Sequence, residues 1–192
     1  MFDRKAAVRS RLLAARRNLP TEVRMAAAGR VRSALVDLLA RTRPAVVAGY
    51  VPFGAEPGGP ELPSVIAAAL PPGGRLLLPV LLPDRSLDWA VYQAGAPVHW
   101  RMPAGQRLGP AAIGQADLVV APALAVDRRG VRLGRGGGSY DRALALAAPA
   151  AQVVALLHDG ELLDEPLPEQ PHDRRVTAAI TPSDGLVPLP RG

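Results

Sequence analysis

The segment A-V-V-A-G-Y-V at positions 45–51 contains no charged residue and lies between Pro44 and Pro52. A short apolar run bounded by chain-breaking residues is typical of a strand that is covered on both faces. Similar runs predict further buried strands at residues 75–80, 117–121, 152–157 and 176–181. Residues 87–92 alternate in polarity and predict one more strand. These runs together predict a sheet that is largely buried.

Segments with helical periodicity separate these strands. Helices are predicted at residues 2–18, 21–41, 64–70 and 139–148. In the second helix Thr21 is the expected N-cap. The buried stripe of that helix is expected to be Val23, Ala27, Val31, Leu35, Leu38 and Leu39. Solid apolar strands that alternate with helices indicate an α/β fold, a three-layer sandwich in which helices cover both faces of a largely parallel sheet.

The length of 192 residues and a hydrophobic content of 48% predict a single domain, residues 1–192, with enough apolar material for a core. The absence of cysteine excludes a disulfide scaffold, a thiolate metal site and cysteine catalysis. The first residues are charged, and no apolar stretch is long enough to span a bilayer. We therefore expect a cytoplasmic protein, a monomer, with no membrane partner.

The net charge of +6 would suit a polyanionic partner such as nucleic acid. However, all 23 basic residues except Lys5 are arginines, they are scattered along the chain, and aromatic residues make up only 4%. Proteins that bind single-stranded nucleic acid usually present aromatic stacking platforms. A basic nucleic-acid-binding protein is therefore kept only as an alternative, and no nucleic-acid partner is expected.

The sequence R-L-G-R-G-G-G-S-Y-D at positions 132–141 lies between a predicted strand and a predicted helix. Glycines allow backbone N–H groups to face an anion, and arginines and a helix N-terminus add positive potential. The segment matches neither the Walker A motif nor the dinucleotide-binding motif. It predicts a phosphate-binding loop, with a flexible turn as the alternative.

Lys5 and Arg9 are four residues apart and therefore project from one face of the first helix. Such a pair could hold a polyphosphate, but the spacing alone is more typical of a solvated basic face shared with Arg16. Asp141 and Asp173 are candidate Mg²⁺ ligands, because Mg²⁺ prefers carboxylate oxygens. A helix cap or a surface charge is the alternative for each aspartate.

Three loops follow predicted strands, at residues 52–60, 127–138 and 158–173. In parallel sheets, ligands bind beyond the carboxyl ends of the strands. Glu56 lies in the first loop, where it could hydrogen-bond a polar heterocycle or remain a surface carboxylate. Trp100 could stack on a planar ligand or fill a gap in the core.

These residues carry a resemblance to the 5-formyltetrahydrofolate cyclo-ligase (methenyltetrahydrofolate synthetase) family. The most specific stretch is P-A-L-A-V-D-R-R-G-V-R-L-G-R-G-G-G-S-Y-D-R at 122–142. The resemblance extends to K-A-A-V-R at 5–9, residues 50–56, W-R-M-P at 100–103 and H-D-R-R-V at 172–176. Five segments in the same order cover essentially the whole chain.

The resemblance implies a ligase of one-carbon metabolism that uses ATP and Mg²⁺ to convert 5-formyltetrahydrofolate to 5,10-methenyltetrahydrofolate, releasing ADP and phosphate through a phosphorylated formyl intermediate. It assigns catalytic roles to Lys5 and Arg135, and Mg²⁺ binding to Asp141 and Asp173. The implied ATP-binding residues are Lys5, Arg9, Arg132, Leu133, Gly134, Arg135, Gly136, Gly137, Gly138, Ser139 and Tyr140. The implied folate-binding residues are Val51, Glu56, Trp100, Arg135, Gly136, Gly137, Gly138 and Ser139.

The chain departs from the family pattern at three places. Ser139 replaces a usual Tyr or Phe, P-G-G-P at 57–60 replaces a more polar loop, and the Trp100 segment continues P-A-G where a second proline is common. None of these changes removes a charged catalytic group. They leave open an alternative enzyme of the same fold that activates another amide-like substrate with ATP.

Overall fold

A computed structural model describes residues 4–95, 106–170 and 173–190 of the chain. The α-helices are α1 (Arg4–Asn18), α2 (Thr21–Thr42), α3 (Leu62–Ala69) and α4 (Ser139–Leu146). The strands are β1 (Val46–Ala48), β2 (Arg75–Leu81), β3 (Leu87–Val91), β4 (Leu118–Pro122), β5 (Ala125–Asp127), β6 (Arg132–Leu133), β7 (Gln152–Leu156), β8 (Leu162–Leu163), β9 (Ala178–Thr181) and β10 (Gly185–Pro188). A 3₁₀ helix occupies Pro110–Gln115.

A seven-stranded sheet with the order β10-β9-β7-β4-β1-β2-β3 forms the centre of the molecule. Its five middle strands are parallel, and the two edge strands pair antiparallel. The middle strands are the predicted apolar runs, and they are buried because helices cover both faces. The predicted fold class is therefore confirmed. The edge strand β10 was not predicted, because its four residues include Gly185 and Pro188 and show no apolar run.

Helices α2 and α3 pack on one face of the sheet, where Leu35, Leu39 and Ile66 are fully buried. Helix α4 and the 3₁₀ helix pack on the other face, through residues such as Leu144 and Ile113. The predicted stripe of α2 is correct except at Val23, which is 50% exposed because it lies before the helix reaches the sheet core. The predicted N-cap is one residue late: Pro20 occupies that position, and Thr21 begins the helix.

A second, three-stranded sheet has the order β6-β5-β8 and lies against α1. Leu12 of α1 is buried there with Leu124, Val131 and Leu133. The sequence predicted an uninterrupted loop at 127–138, so β6 within it is a correction. Strands of two or three residues have no readable periodicity and form only because a partner strand satisfies their backbone. In the described part of the chain, no helix is both long and apolar enough to cross a bilayer.

Candidate active site

One cleft of about 940 Å³ lies at the carboxyl ends of the parallel strands. Residues after β1 and β4 form its floor, among them Tyr50, Val51 and Ala123. The predicted site residues that line it are Lys5, Arg9, Val51, Glu56, Arg132, Leu133, Gly134, Arg135, Gly136, Gly137, Gly138, Ser139, Tyr140, Asp141 and Asp173. Trp100 and His172 lie outside the described residues. Residues that are up to 168 positions apart in sequence therefore meet at the strand ends, where α/β sheets bind ligands.

The glycine-rich loop ends at α4 and needs glycine for its conformation. Gly136 and Gly138 have φ angles of 97° and 69°, which side-chain-bearing residues rarely adopt. A Cβ on Gly134 would lie only 3.0 Å from the Arg132 guanidinium. The loop is therefore a defined backbone turn at a helix N-terminus, the geometry that favours anions.

Helix α1 brings its two predicted cations to the cleft, and Arg9 contacts the glycine loop. Arg9 Nε donates a hydrogen bond of 3.0 Å to the carbonyl of Gly134. Lys5 Nζ lies 3.6 Å from Asp173 Oδ2, and the backbone N–H of Gln170 donates to the same oxygen at 2.9 Å. The solvated-face alternative for Lys5 and Arg9 is not what the structure shows, because both side chains line the cleft and contact its far segments.

The two candidate metal ligands lie in the same cleft but have different basic partners. Asp141 is paired with the buried guanidinium of Arg132, and Asp173 with Lys5. Arg132 Nη1 also donates to the carbonyl of Pro122 at 2.9 Å, so it connects β4 to α4. Among the described residues, no group of three or more His, Cys, Asp or Glu side chains could hold a metal ion. A cation bound here would need further oxygens from its ligand.

The loop after β1 contributes the Glu56 carboxyl to the cleft, together with the apolar side chains of Val51 and Phe53. Glu56 Oε2 accepts a hydrogen bond of 2.9 Å from the backbone N–H of Phe53, and Oε1 lies 3.3 Å from Arg135 Nη1. Arg135 also stacks over the Phe53 ring, 5.8 Å from its centroid. Burial raises the pKa of Glu56, and the Phe53 N–H and Arg135 only partly oppose this. Glu56 is thus a mostly buried carboxyl that faces a binding cleft.

Two tyrosines contact the chain on either side of the Glu56 loop. Tyr50 is buried, and its hydroxyl donates to the carbonyl of Pro57 at 2.7 Å. The Tyr140 hydroxyl lies 3.3 Å from the carbonyl of Gly49. Burial raises the pKa of both phenols, and the nearby Glu56 carboxylate raises them further. Both tyrosines are therefore neutral hydrogen-bond donors that hold the loop after β1.

Several residues of the site and of its support were not predicted from the sequence. Phe53 and Arg142 also line the cleft, and both lie within segments that the sequence had already marked. Arg16 was named only as part of the alternative solvated face, but only 4% of it is exposed and it pairs with Glu161. Nothing in the local sequence distinguishes Arg16 from the exposed Arg17, because its burial depends on a carboxylate 145 residues away.

The fold and the cleft define a class of protein: an α/β sandwich with a basic, glycine-lined cleft at the ends of its parallel strands. The model of the 5-formyltetrahydrofolate cyclo-ligase family matches residues 2–182. The chain belongs to this family, and the resemblance drawn from its sequence is confirmed.

Individual relatives agree with this assignment. The chain is 43% identical to the 5-formyltetrahydrofolate cyclo-ligase of Mycolicibacterium smegmatis, over 96% of this chain and 97% of that protein. The NMR structure of 5,10-methenyltetrahydrofolate synthetase from Aquifex aeolicus superposes with a TM-score of 0.77 at 27% identity, covering 98% of this chain and 94% of the other. The synthetase of Mycoplasma pneumoniae shares the fold, with a TM-score of 0.73 at 19% identity over 92% of this chain and 97% of its own.

Proposed function

We propose that this protein catalyses the ATP- and Mg²⁺-dependent conversion of 5-formyltetrahydrofolate to 5,10-methenyltetrahydrofolate. The names of its relatives support the reaction. One structural observation carries the proposal: a single cleft is lined by the cationic glycine loop and by the Glu56 carboxyl, and Arg135 of that loop contacts Glu56. A phosphate donor and a polar heterocycle can therefore lie side by side in it.

In the proposed reaction the formyl oxygen attacks the γ-phosphorus of ATP, the bond to the bridging oxygen breaks, and ADP leaves. N10 of the folate then attacks the activated formyl carbon. The C–O bond breaks, phosphate departs with the former formyl oxygen, and N10 loses its proton. Phosphorylation is needed because an amide-like oxygen is a poor leaving group. Catalysis of phosphoryl transfer depends mainly on positioning and charge, so the lack of a strong nucleophile in the cleft is no objection.

In this proposal the phosphates of ATP lie between α1 and the glycine loop. Lys5 and Arg9 approach them from the helix, and residues from Arg132 to Tyr140 approach from the loop. Lys5 and Arg135 would stabilise the charge that develops on the transferred phosphoryl group, because their cationic ends project into the cleft. The Arg9 contact with Gly134 supports this arrangement, since it holds the helix and the loop at a fixed separation.

The acidic residues fit a Mg²⁺ ion that is bound partly by nucleotide. Mg²⁺ is commonly held by one or two carboxylates together with substrate phosphates and water. Asp141 and Asp173 supply two carboxylates to the cleft, and their partners Arg132 and Lys5 keep them oriented. When bound, the ion would neutralise phosphate charge.

The folate would bind at the Glu56 end of the cleft. Val51 offers an apolar contact, and the Glu56 carboxyl offers acceptors for the N–H groups of the pterin ring. Arg135, Gly136, Gly137, Gly138 and Ser139 would contact both ligands. Trp100 remains a sequence prediction for this end.

The decisive experiment adds 5-formyltetrahydrofolate, ATP and Mg²⁺ to the purified protein and follows the absorbance of the methenyl product. Product should form only when all three are present. A folate-saturated protein that makes no product would overturn the proposal, and competition with other amide-like compounds would then test the alternative substrate. The monomeric state and the cytoplasmic location stay predictions.

A further inference from the structure

A buried ion pair connects α1 to the segments that follow β4 and β7. Arg16 Nε donates to Glu161 Oε1 at 2.7 Å, and Arg16 Nη2 donates to Glu161 Oε2 at 2.8 Å. Arg16 Nη2 also donates to the carbonyl of Ala123 at 2.5 Å. Both side chains are about 5% exposed. A bidentate pair of this kind is rigid and geometrically specific.

The pair continues into the turn that follows β7. Glu161 Oε2 accepts a second hydrogen bond, of 2.7 Å, from the backbone N–H of His158. The backbone carbonyl of Glu161 accepts a hydrogen bond of 3.0 Å from the backbone N–H of Val126. The carboxylate of Glu161 thus fixes the position of His158, whose side chain is also buried.

His158 in turn contacts the loop that carries Glu56. Its Nε2 lies 2.9 Å from the carbonyl oxygen of Ala55, the residue directly before Glu56. A carbonyl oxygen only accepts, so Nε2 must carry the proton and donate it. The Phe53 N–H and Arg135 contact the Glu56 carboxyl itself, and the hydrogen bond at Ala55 holds the backbone from which that side chain projects.

Stability alone gives little reason for this arrangement. A buried ion pair is often no more stabilising than apolar residues of the same volume, because desolvation offsets the attraction between the charges. The cleft, in contrast, requires one defined position for a carboxyl on a loop with no regular secondary structure. None of the three side chains lines the cleft, so they act through Ala55 and not by direct contact with ligand.

We infer that Arg16, Glu161 and His158 are positioning residues. They hold the Glu56 carboxyl in the place where it binds the folate substrate. The inference rests on the proposed function for the identity of that ligand. The placement of the loop itself does not depend on it. Arg16 and Glu161 anchor His158, and His158 holds the loop.

The test compares His158→Phe with His158→Gln in the full chain. Phenylalanine removes the donor to Ala55, whereas glutamine carries an amide N–H that can replace it. We expect His158→Phe to raise the KM for 5-formyltetrahydrofolate about tenfold, the scale of one lost hydrogen bond, and to move the KM for ATP less than twofold. His158→Gln should restore most of the folate KM. Equal rises in both KM values, or no rescue by glutamine, would overturn the inference.

Hydrogen exchange in the ligand-free protein gives a second measurement that needs no turnover. The peptide covering residues 53–56 should exchange faster in His158→Phe than in the parent chain, and near the parent rate in His158→Gln. Unchanged exchange would contradict the positioning role even if the enzyme is active. Faster exchange in a chain that makes no methenyl product would support the role and count only against the proposed function.

The ion pair is tested by replacing both charges at once. The double variant Arg16→Met with Glu161→Met leaves no unpaired buried charge, so we expect it to fold while its folate KM rises as in His158→Phe. Arg17→Met, an exposed neighbour on α1, is the matched control and should leave both KM values unchanged. A folded double variant with the parent folate KM would remove Arg16 and Glu161 from the network.

Discussion

The carboxylate of Glu56 lies 3.3 Å from the guanidinium of Arg135, so the loop after β1 and the glycine loop before α4 contact each other across the cleft. The Glu56 side chain is 12% exposed and that of Arg135 is 49% exposed. One charged contact therefore joins the two parts of the cleft wall to which we assign folate binding and phosphate binding. A change on either side of this pair is expected to affect the binding of the corresponding ligand first.

The raised pKa of Glu56 predicts a specific pH dependence of stability. The folded carboxyl keeps its proton at pH values above its ordinary pKa of 4.5, where the unfolded carboxyl has lost it. The native state then binds more protons than the unfolded state, so this group lowers stability as pH rises through that window. As the pH rises from about 4 to about 7, the Tm of Glu56→Gln should therefore fall less than the Tm of the parent chain.

Glu61→Gln is the matched control for this measurement. Glu61 also pairs with an arginine, Arg32, at 2.8 Å, but its side chain is 59% exposed and outside the cleft. It should follow the parent Tm profile. A Glu56→Gln profile parallel to the parent would show that the carboxyl is already ionised throughout this range.

Lys5→Ala should lower turnover on the order of 10²-fold, because it removes a cation that we propose stabilises the developing phosphate charge. The control is Arg17→Ala, which deletes an exposed cation of the same helix. Arg16 is unsuitable as a control, since its burial makes its loss a structural change. Steady-state kinetics with ATP varied would measure both variants. Similar small effects for Lys5 and Arg17 would contradict the proposed phosphate contact of Lys5.

Asp141→Asn and Asp173→Asn should each raise the Mg²⁺ concentration that gives half-maximal rate, because each removes a formal charge from the proposed metal site. Rates measured over a Mg²⁺ titration decide this. Asp37→Asn, on the exposed side of α2, should leave the titration unchanged. If the rate falls without any shift in the Mg²⁺ titration, the two aspartates only hold Lys5 and Arg132.

Ser139→Tyr should lower the KM for 5-formyltetrahydrofolate and change the KM for ATP less. Ser139 begins α4 and lines the cleft, so a ring there could lie against the planar part of the folate. Stacking of an aromatic ring on a base contributes roughly 1–3 kcal/mol, about one to two decades in affinity. Ser139→Ala isolates the contribution of the hydroxyl. A tyrosine variant with an unchanged or higher folate KM would mean that the loop around Ser139 leaves no room for the ring.

Asp127→Asn should destabilise the small sheet by about 3 kcal/mol, on the scale of a hydrogen bond to a buried charged group. The buried Asp127 carboxylate accepts backbone N–H groups of Arg129, Val131 and Leu167 as well as the Arg129 guanidinium. Burial alone would raise the pKa of Asp127, but these hydrogen bonds outweigh it and lower the pKa. An amide N–H in place of one oxygen would face these donors directly.

Urea unfolding at neutral pH measures this loss. Asp164→Asn is the control, because Asp164 also pairs with an arginine, Arg128, but is 87% exposed. The stabilisation by Asp127 should also fade as pH drops below its ordinary pKa of 3.8, because the unfolded carboxyl then binds a proton that the native carboxylate binds only at lower pH. A loss of stability no greater than that of Asp164→Asn would contradict the role of Asp127.

The amino-acid sequence by itself determined the central sheet, its covering helices and the glycine loop. Continuous apolar runs such as residues 45–51 are stable only when both faces are buried, and a glycine-rich turn with arginines before a helix favours anion binding. These signals are local, because each depends on neighbours within one element. The pairing of α1 with the loop was also within reach, through the family resemblance of Lys5 and Arg9.

Only the tertiary structure decided which charges are buried and which loops touch. Arg16 and Arg17 are adjacent and chemically identical, yet only Arg16 meets Glu161 across the fold. Likewise, β5, β6 and β8 are too short to show a periodicity and exist because they pair with each other. Contacts between distant segments depend on how the elements pack, and the burial of a charge depends on whether packing brings it a partner.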